Sequence, residues 1–470
     1  MSSAFFGLQV ALSGLRAQRQ VMETAGHNIA NASTEGYTRQ RVLLTPGVPY
    51  TMPGLAGPVG ALMKGTGVEA REVTRVADLF IDAQLREQSG ALAEKRQASQ
   101  TVSQVEGVFG EPGEEGLGAA MSAFWGAWEE LTLNPDSLAV RRSLIYQADS
   151  LAGAFNRINR QLESTRENLD FEVEQSAEAI NRMSAAVASL NARIARAGAG
   201  GMNANDLIDE RDRLISELRS YVDVRVRLEE GGRASLFVGN RALVMGDVHN
   251  EIVADKTGTG YHFLVWKSDA EPLSIGGGKL ASMLEMRDTY IPRLIADLDA
   301  LAASIIQEVN ALHAGGYDLD GNPVAGTAYE EFFTGTSMAD MAVNPAIEAD
   351  PKGVAASAGS GEGDAENARA IALLREKKSI AGAYTFEDYY RSVVARVGID
   401  AQAMENEVEN TEVLLKQIEN WRESVSGVYI DEEMVRLQEA QRAFQAAARA
   451  ISVMDDALNT IINGMGVVGR

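Results

Sequence analysis

The stretch HNIANASTEGYTRQRV, residues 27–42, ends a helical pattern abruptly and continues through a turn into a strand-like segment. Before it, an apolar residue recurs every seventh position at Leu8, Leu15, Met22 and Ile29. Near the other end of the chain the same spacing recurs at Leu437, Phe444, Ile451 and Leu458, and continues to Met465. A helix with one apolar stripe needs a partner, and the simplest partner for each stripe is the other. The two termini are therefore predicted to pair as coiled-coil helices.

The stability of such a pair is marginal. Each large apolar residue of the stripes contributes about 1.5–3 kcal/mol when it is fully buried. Ordering the backbone costs about 1–2 kcal/mol for every residue of the two helices. Helix hydrogen bonds offset part of this cost, but an isolated pair of this length stays close to balance. We therefore expect the termini to be mobile in a monomer and to become ordered only when neighbouring copies cover them.

Composition narrows the classes of function. The chain of 470 residues is long enough for two or three domains. Its net charge of −23 argues against a nucleic-acid partner, because phosphate binding needs a basic face. The absence of Cys excludes disulfides, thiol catalysis and thiolate metal sites. The start, MSSAFFGLQVALSGLRAQ, does not read as a cleaved secretory signal, and no run of about 18 apolar residues predicts membrane insertion.

The middle of the chain predicts a long helical bundle with a small β insertion. Alternating 3–4 spacing of apolar residues runs through 136–197, after Asn134 as an N-cap and Pro135 at the first helical position. Similar stripes at 280–313 and 387–425 fit an antiparallel bundle. The fold class is therefore mainly α. The predicted domains are coiled-coil helices at 1–45 and 431–470, a helical bundle at 46–221 and 276–430, and a small antiparallel β module at 222–275. Residues 346–366, rich in Ala, Gly, Ser and Asp, are expected to form a loop.

Four features of the sequence could be chemical sites, and each also has a simpler structural explanation. Asp318–Asn322 begins like a calcium loop, but Pro323 and Tyr329 stand where Gly and Glu are required, so we expect a turn. Gly276–Lys279 lacks the remaining residues of a phosphate loop. The acids Asp206, Asp209 and Asp212 are expected to start a helix and to pair locally with Arg211 and Arg213. The histidines, His27, His249, His262 and His313, are scattered without ligand spacing. No enzyme activity, cofactor or metal site is predicted, although a metal-dependent use of the acids stays open as an alternative.

The opening stretch resembles the N-terminal signature of bacterial flagellar axial proteins, which are the rod, hook and hook-associated proteins. The matching positions are Asn28, Ile29, Ala30, Asn31, Gly36, Tyr37 and Arg39. The asparagines can satisfy backbone groups at a helix end or turn, and Gly36 permits a positive-φ turn that Tyr37 can anchor. Four further stretches, 134–159, 190–218, 309–323 and 426–462, resemble the hook-associated members in the same order along the chain.

The resemblance implies a structural role: joining hook to filament as a ring of self-assembled subunits. Another axial component, such as hook or rod protein, is the alternative. The implied partners are copies of the chain itself, the flagellar hook protein, a second hook–filament junction protein and a cytoplasmic export chaperone that masks the C-terminal helix. The implied location is extracellular, in the flagellum, after type III export without a cleaved signal. The expected assembly-interface residues are Leu8, Leu15, Met22, Asn28, Ile29, Asn31, Gly36, Tyr37, Leu437, Phe444, Ile451 and Leu458.

Overall fold

The computed structural model describes residues 2–49, 65–111, 113, 116–256, 260–359, 363–380 and 382–464. Met465, the last residue of the C-terminal heptad pattern, lies outside them. As predicted, the fold is mainly α. Its elements in chain order are α1 (Ser2–Ala30), β1 (Gln40–Pro46), β2 (Val68–Arg75), α2 (Leu79–Phe109), α3 (Leu117–Leu133), α4 (Leu138–Ala199), α5 (Asn205–Tyr221), β3 (Val224–Leu228), β4 (Ala234–Val238), β5 (Arg241–Met245), β6 (Val248–His249), β7 (Ile252–Lys256), β8 (His262–Trp266), α6 (Lys279–Glu285), a π-helical turn (Met286–Tyr290), α7 (Ile291–His313), β9 (Phe333–Thr334), β10 (Ala342–Val343), α8 (Pro345–Ala349), a 3-10 turn (Pro351–Gly353), α9 (Glu366–Ala372), a second 3-10 turn (Leu373–Arg375), α10 (Phe386–Ser426) and α11 (Ile430–Gly464).

The chain folds as two compact units, and each is built from separate segments. Unit 1 comprises Met1–Gly90, Ile180–Glu251 and Glu412–Arg470, and unit 2 comprises Ala91–Ala179 and Ile252–Thr411. Helices α2, α4 and α10 each contribute residues to both units. The units divide the chain differently from the domains expected from the sequence, because those long helices do not end where one unit ends.

Within unit 1, a four-stranded antiparallel sheet in the order β3-β4-β5-β6 is fastened to α4 by one buried side chain. The Asn191 amide donates to the carbonyl oxygens of Ala234 and Gly246, both at 2.8 Å. Its own oxygen accepts from Ala234 N at 3.0 Å. Asn191 is wholly buried and uses both ends of its amide, so it joins helix to sheet without an unsatisfied polar group.

Also in unit 1, the antiparallel hairpin β1–β2 lies against α1. Gly67, at φ +102°, comes so close to α1 that an added Cβ would lie 2.1 Å from Ser13 Oγ. The same hydroxyl accepts a hydrogen bond from Val68 N at 3.2 Å. Only glycine fits this approach, so the hairpin supports α1 from Ser13 to its C-terminal end.

Unit 2 is organised around a cluster of aromatic side chains from three parts of the chain. The cluster contains Phe124, Trp125, Trp128, Phe332, Phe333 and Phe386, and every one of them is 0 % exposed. Trp125 stacks on Phe386 with ring centroids 5.6 Å apart, and Phe332 meets Phe333 edge to face at 4.9 Å. Such pairs add to the large apolar area that each ring removes from water.

The β-rich segment predicted as one module at 222–275 is divided in the structure. Strands β3–β6 form the sheet of unit 1, whereas β7 and β8 pair separately with each other in unit 2. The segment is divided because its two parts pack on different partners. Asn191 binds the first sheet, whereas Asp170 accepts from His262 N at 2.6 Å in the second. The alternation of apolar and polar residues predicts the strands, but it does not predict the surfaces on which they pack.

Two smaller expectations were wrong. Helix α4 begins at Leu138, and Asn134 instead ends α3, donating its backbone N–H to Glu130 O. Residues 346–366 do not form only a surface loop, because Val354 and Ala355 are buried. The backbone of that part is held from unit 2 itself, because Arg141 donates to Val354 O at 2.5 Å. The long stripes at 136–197, 280–313 and 387–425 are helical as predicted, in α4, α6–α7 and α10.

Candidate assembly interface

The signature stretch closes α1 with a turn whose geometry follows the sequence prediction. Gly36 takes φ +80°, the left-handed region that favours glycine. The Tyr37 hydroxyl donates to Asn28 Oδ1 at 2.8 Å and lies 3.0 Å from His27 Nδ1. Asn31 Nδ2 donates back to His27 O at 3.0 Å, which satisfies a carbonyl at the helix end. The turn and its tyrosine anchor are confirmed.

Asn28 is the centre of this region, and no sequence pattern indicated that it would meet Glu433. It is 1 % exposed and pairs with the backbone of Gln40 in both directions, donating to the carbonyl at 2.9 Å and accepting from the N–H at 3.0 Å. It also donates to Glu433 Oε2 at 3.0 Å, although 405 residues separate the two. Glu433 is itself 2 % exposed and lies in the first turn of α11, where a carboxylate is favoured by the helix dipole. One asparagine thus joins the end of α1, the start of β1 and the start of α11.

A second contact fixes the same part of the chain to the start of α11. Arg39 N donates to Ser426 O at 3.0 Å, and Val76 N donates to Arg39 O at 2.8 Å. The Arg39 guanidinium also pairs with Glu432 at 3.2 Å. The backbone at Arg39 therefore bridges the end of α10 to the segment that follows β2.

The acids at 206–212 do not pair only locally, as the sequence suggested. Arg211 does pair with Asp212 at 2.8 Å, but Asp209 accepts from Thr38 N at 3.1 Å and forms an ion pair with Arg75 at 2.9 Å. Arg75 reaches Asp212 as well, at 3.0 Å. Burial raises the pKa of the Asp209 carboxyl, and the Arg75 charge opposes that rise. The acidic start of α5 is a binding surface for the signature turn within the same unit.

The terminal helices α1 and α11 pack against each other and run antiparallel. Asn28 at the end of α1 meets Glu433 at the start of α11, whereas an added Cβ on Gly7 would lie 3.1 Å from the Met454 side chain. The predicted pairing of the termini is therefore observed. The eight heptad residues are only half-buried in the single chain: Leu8, Leu15, Met22, Ile29, Leu437, Phe444, Ile451 and Leu458.

The predicted interface residues thus divide into two groups. Asn28, Asn31, Gly36 and Tyr37 are brought together at one end of the α1–α11 pair, and the heptad residues follow its length. Sequence reasoning missed Glu433, Gln40 and Arg75, although all three make contacts in this region. The Asp-Glu-Glu run that starts α11 was a signal for Glu433, but no pattern indicated which residue it meets.

Two other features singled out in the sequence make structural contacts. Asp318 accepts from Asn322 N at 2.7 Å around Gly321, so this segment is the predicted turn. In unit 2, His262 Nδ1 lies 2.8 Å from Asp170, whose other oxygen accepts from Arg287 at 2.7 Å, which ties β8 to the π-helical turn. Within the described residues, no group of three or more His, Asp or Glu is placed to hold a metal ion. Among those same residues, no helix has the length and apolar content to span a membrane.

Family models match three parts of the chain. The flagellar hook-associated protein FlgK helical domain matches residues 102–329. The flagella basal body rod protein model matches residues 8–38, and the flagellar basal body rod FlgEFG protein C-terminal model matches residues 423–464. The last two cover the segments that the Asn28–Glu433 contact joins.

Full-length relatives decide the family. Flagellar hook-associated protein 1 of Bacillus subtilis is 31 % identical, with 100 % of both chains covered. The chain belongs to the flagellar hook-associated protein 1 family. The members from Salmonella typhimurium and Escherichia coli are each 24 % identical over 96 % of this chain and 98 % of their own. This family makes the chain a structural protein of the flagellar hook–filament junction.

A solved structure shares the fold of this family member. The flagellar hook junction protein FlgK from Burkholderia pseudomallei superposes with a TM-score of 0.65 at 16 % identity. The match covers 73 % of this chain and 100 % of that one. Most of this chain therefore shares its fold with a hook junction protein of known structure.

Proposed function

We propose that copies of this chain self-assemble into a ring between hook and filament, with the paired helices α1 and α11 as the layer that neighbouring copies complete. The observation that carries the proposal is the burial of the heptad stripes. Two antiparallel helices already face each other, yet all eight large residues of the stripes keep part of their surface in water. A seam that is satisfied by its own partner buries such residues fully.

The proposed partners follow from what the helices leave uncovered. On α11, Val435 and Val453 are 56 % and 67 % exposed, and Met434 is 42 % exposed. Apolar residues in this number on one helix need a cover in the cytoplasm, and a cytoplasmic export chaperone masking α11 supplies it before type III export. In the flagellum, copies of the chain replace the chaperone, and the hook protein and a second junction protein occupy the two ends of the ring.

The end of the pair at which α1 stops and α11 starts is held by hydrogen bonds within one copy. Asn28, Tyr37 and Glu433 form hydrogen bonds that need no neighbouring copy. We therefore assign these three residues to setting the register of α1 on α11, and the heptad residues to contacts between copies. Asn28 and Glu433 are buried whereas the heptad residues are half-buried, and this difference supports the division.

The experiment replaces apolar residues of the α1 stripe and leaves the register residues Asn28, Tyr37 and Glu433 unchanged. The double substitution Leu8→Ser and Leu15→Ser is made in motile cells, with Gln9→Ser, at an exposed polar residue of the same helix, as the matched control. We expect the variant chain to be exported into the medium while filaments no longer stay attached, because copies cannot cover each other. Immunoblots of the medium and electron microscopy of the hooks measure both. Filaments attached as in the control would contradict the proposal.

A further inference from the structure

One face of the helix pair formed by α2 and α10 in unit 1 carries an open groove with both polar and apolar lining. The groove has a volume of about 480 Å³ and is lined by Gln84, Glu87, Gln88, Leu414, Gln417, Ile418 and Trp421. Trp421 is 50 % exposed and Leu414 is 43 % exposed. A half-exposed tryptophan on a rigid helix is the residue type that most often supplies binding energy at interfaces.

The groove is preformed and faces away from the signature turn. The Arg422 guanidinium pairs with Asp82 at 3.0 Å and fixes α10 against α2. Those two residues belong to a separate polar cleft that also includes Gly36 and Tyr37. Because Trp421 lies in the groove and its neighbour Arg422 lies in the cleft, the helix pair has one side covered by its own chain and one side open.

A second surface of unit 1 has the complementary character. Strand β3 is the edge of its sheet and exposes Arg225 and Arg227. Arg225 is paired in register with Phe237 of β4, and the Arg227 guanidinium lies 5.6 Å from the centre of the Phe237 ring. The Arg227 side chain is 70 % exposed. We call Arg225, Arg227 and Phe237 the arginine face.

The charge of each unit indicates what can approach the groove. Unit 1 carries 24 Lys and Arg against 26 Asp and Glu, a net charge of −2, whereas unit 2 carries 19 against 40, a net charge of −21. Two copies that meet through unit 2 repel each other strongly, while two copies that meet through unit 1 do not. A second copy is therefore an occupant that this groove can accept.

We propose that the α2–α10 groove of one copy receives the arginine face of the next copy. The inference rests on the proposed ring, because a contact between two different faces of one chain is the kind that closes a ring. Trp421 offers an aromatic surface to a guanidinium, and Glu87 offers the opposite charge at the groove edge. The contact thus combines an aromatic anchor with a charge pair that sets its direction.

The natural absence of Cys makes a cross-linking test direct. Gln417→Cys in the groove is combined with Leu228→Cys beside the arginine face, where Leu228 is 51 % exposed. Isolated hook–filament junctions are treated with a short bis-maleimide. We expect a ladder of covalent oligomers from the double variant and monomers from each single variant. The control pair, Gln417→Cys with Tyr146→Cys in unit 2, should give no ladder.

The outcomes separate this inference from the ring itself. Attached filaments without a ladder from the double variant would overturn the groove contact and leave the proposed function standing. Absence of the chain from the isolated junctions would overturn both. A ladder from the Tyr146 pair equal to that from the Leu228 pair would also overturn the contact.

A charge exchange tests the direction of the contact in the double-cysteine background. Glu87→Arg alone and Arg227→Glu alone should each abolish most of the ladder, and the two together should restore it. Trp421→Ala should weaken association about thirtyfold, as expected for an interface anchor. Unchanged ladders in all of these variants would overturn the proposal, and circular dichroism of each purified chain checks that it is folded.

Discussion

The two units of this chain are stabilised in contrasting ways. Unit 2 has a net charge of −21 and encloses a wholly buried aromatic cluster around Trp125, Trp128 and Phe332. Unit 1 is almost neutral and depends on a buried polar network in which Asn28 and Glu433 join distant parts of the chain. Its apolar stripes are left half-covered.

The two units therefore differ in what stabilises them and in the apolar surface that they leave exposed. A filled aromatic core makes unit 2 complete by itself, and its like charges discourage copies from meeting there. Unit 1 has its register fixed by hydrogen bonds that tolerate little displacement, while its apolar surface remains available. The proposed assembly surface is therefore in unit 1, the part that packing within one copy leaves unfinished.

The largest expected effect is in the core of unit 2. Trp128→Ala should lower the free energy of unfolding of unit 2 by about 3–5 kcal/mol, because a fully buried indole is replaced by a cavity. Urea denaturation followed by circular dichroism measures the loss. Tyr146→Ala, at a position in the same unit that is 70 % exposed, is the control and should change the free energy by less than about 0.5 kcal/mol. Equal losses in the two variants would show that the buried aromatic cluster does not stabilise unit 2 more than an exposed side chain does.

A pH dependence should follow from His313 in unit 2. His313 is wholly buried, its Nε2 accepts from Ala355 N at 2.9 Å, and burial lowers its pKa to about 4. The unfolded chain binds a proton near pH 6.5, so the unfolded state gains protons first as the pH falls. The contribution of His313 to the stability of unit 2 should therefore decline by about 3 kcal/mol between pH 6.5 and pH 4 and stay level below that.

The matched variant for this titration is His313→Gln, which keeps an acceptor and a donor but takes up no proton in that range. Urea midpoints of the two proteins, measured from pH 7 to pH 4.5, should converge as the pH falls. Parallel curves would show that another group controls the acid sensitivity of unit 2.

A smaller loss is expected in the polar network of unit 1. Asn28→Ala should cost about 1–3 kcal/mol, because the buried Glu433 carboxylate and the Gln40 backbone lose a partner. Hydrogen exchange of α1 and α11 amides should report the loss, with unit 2 unaffected. Asn31→Ala, in the same turn but with only local side-chain bonds, to His27 and Thr34, is the control.

A double-mutant cycle makes the Asn28 prediction sharper. If Asn28 acts through Glu433, Asn28→Ala should cost less in a Glu433→Gln background than in the natural chain, with a coupling of about 0.5–3 kcal/mol. Additive losses would mean that Asn28 stabilises only the turn.

The smallest expected effect is on the stripes of the isolated chain. Leu458→Ala should destabilise the end of α11 by about 1 kcal/mol, since this side chain is only half-buried, and so raise tryptic cleavage after Arg449 about fivefold. Val453→Ala, at a residue that is 67 % exposed, should change the cleavage rate much less. In assembled junctions both variants should resist cleavage after Arg449. Rapid cleavage there would show that no neighbouring copy covers α11.

Local patterns in the sequence determined the helices, their apolar stripes, the pairing of the termini and the Gly36 turn with its Tyr37 anchor, because heptad spacing and turn chemistry act over a few residues. They also carried the resemblance that identified the family. Only the tertiary structure decided that Asn28 meets Glu433, that Arg75 and Thr38 bind Asp209, and that the strands of 222–275 belong to two units. Each of these depends on which distant surfaces come together, and a buried polar residue shows in sequence neither its burial nor its partner.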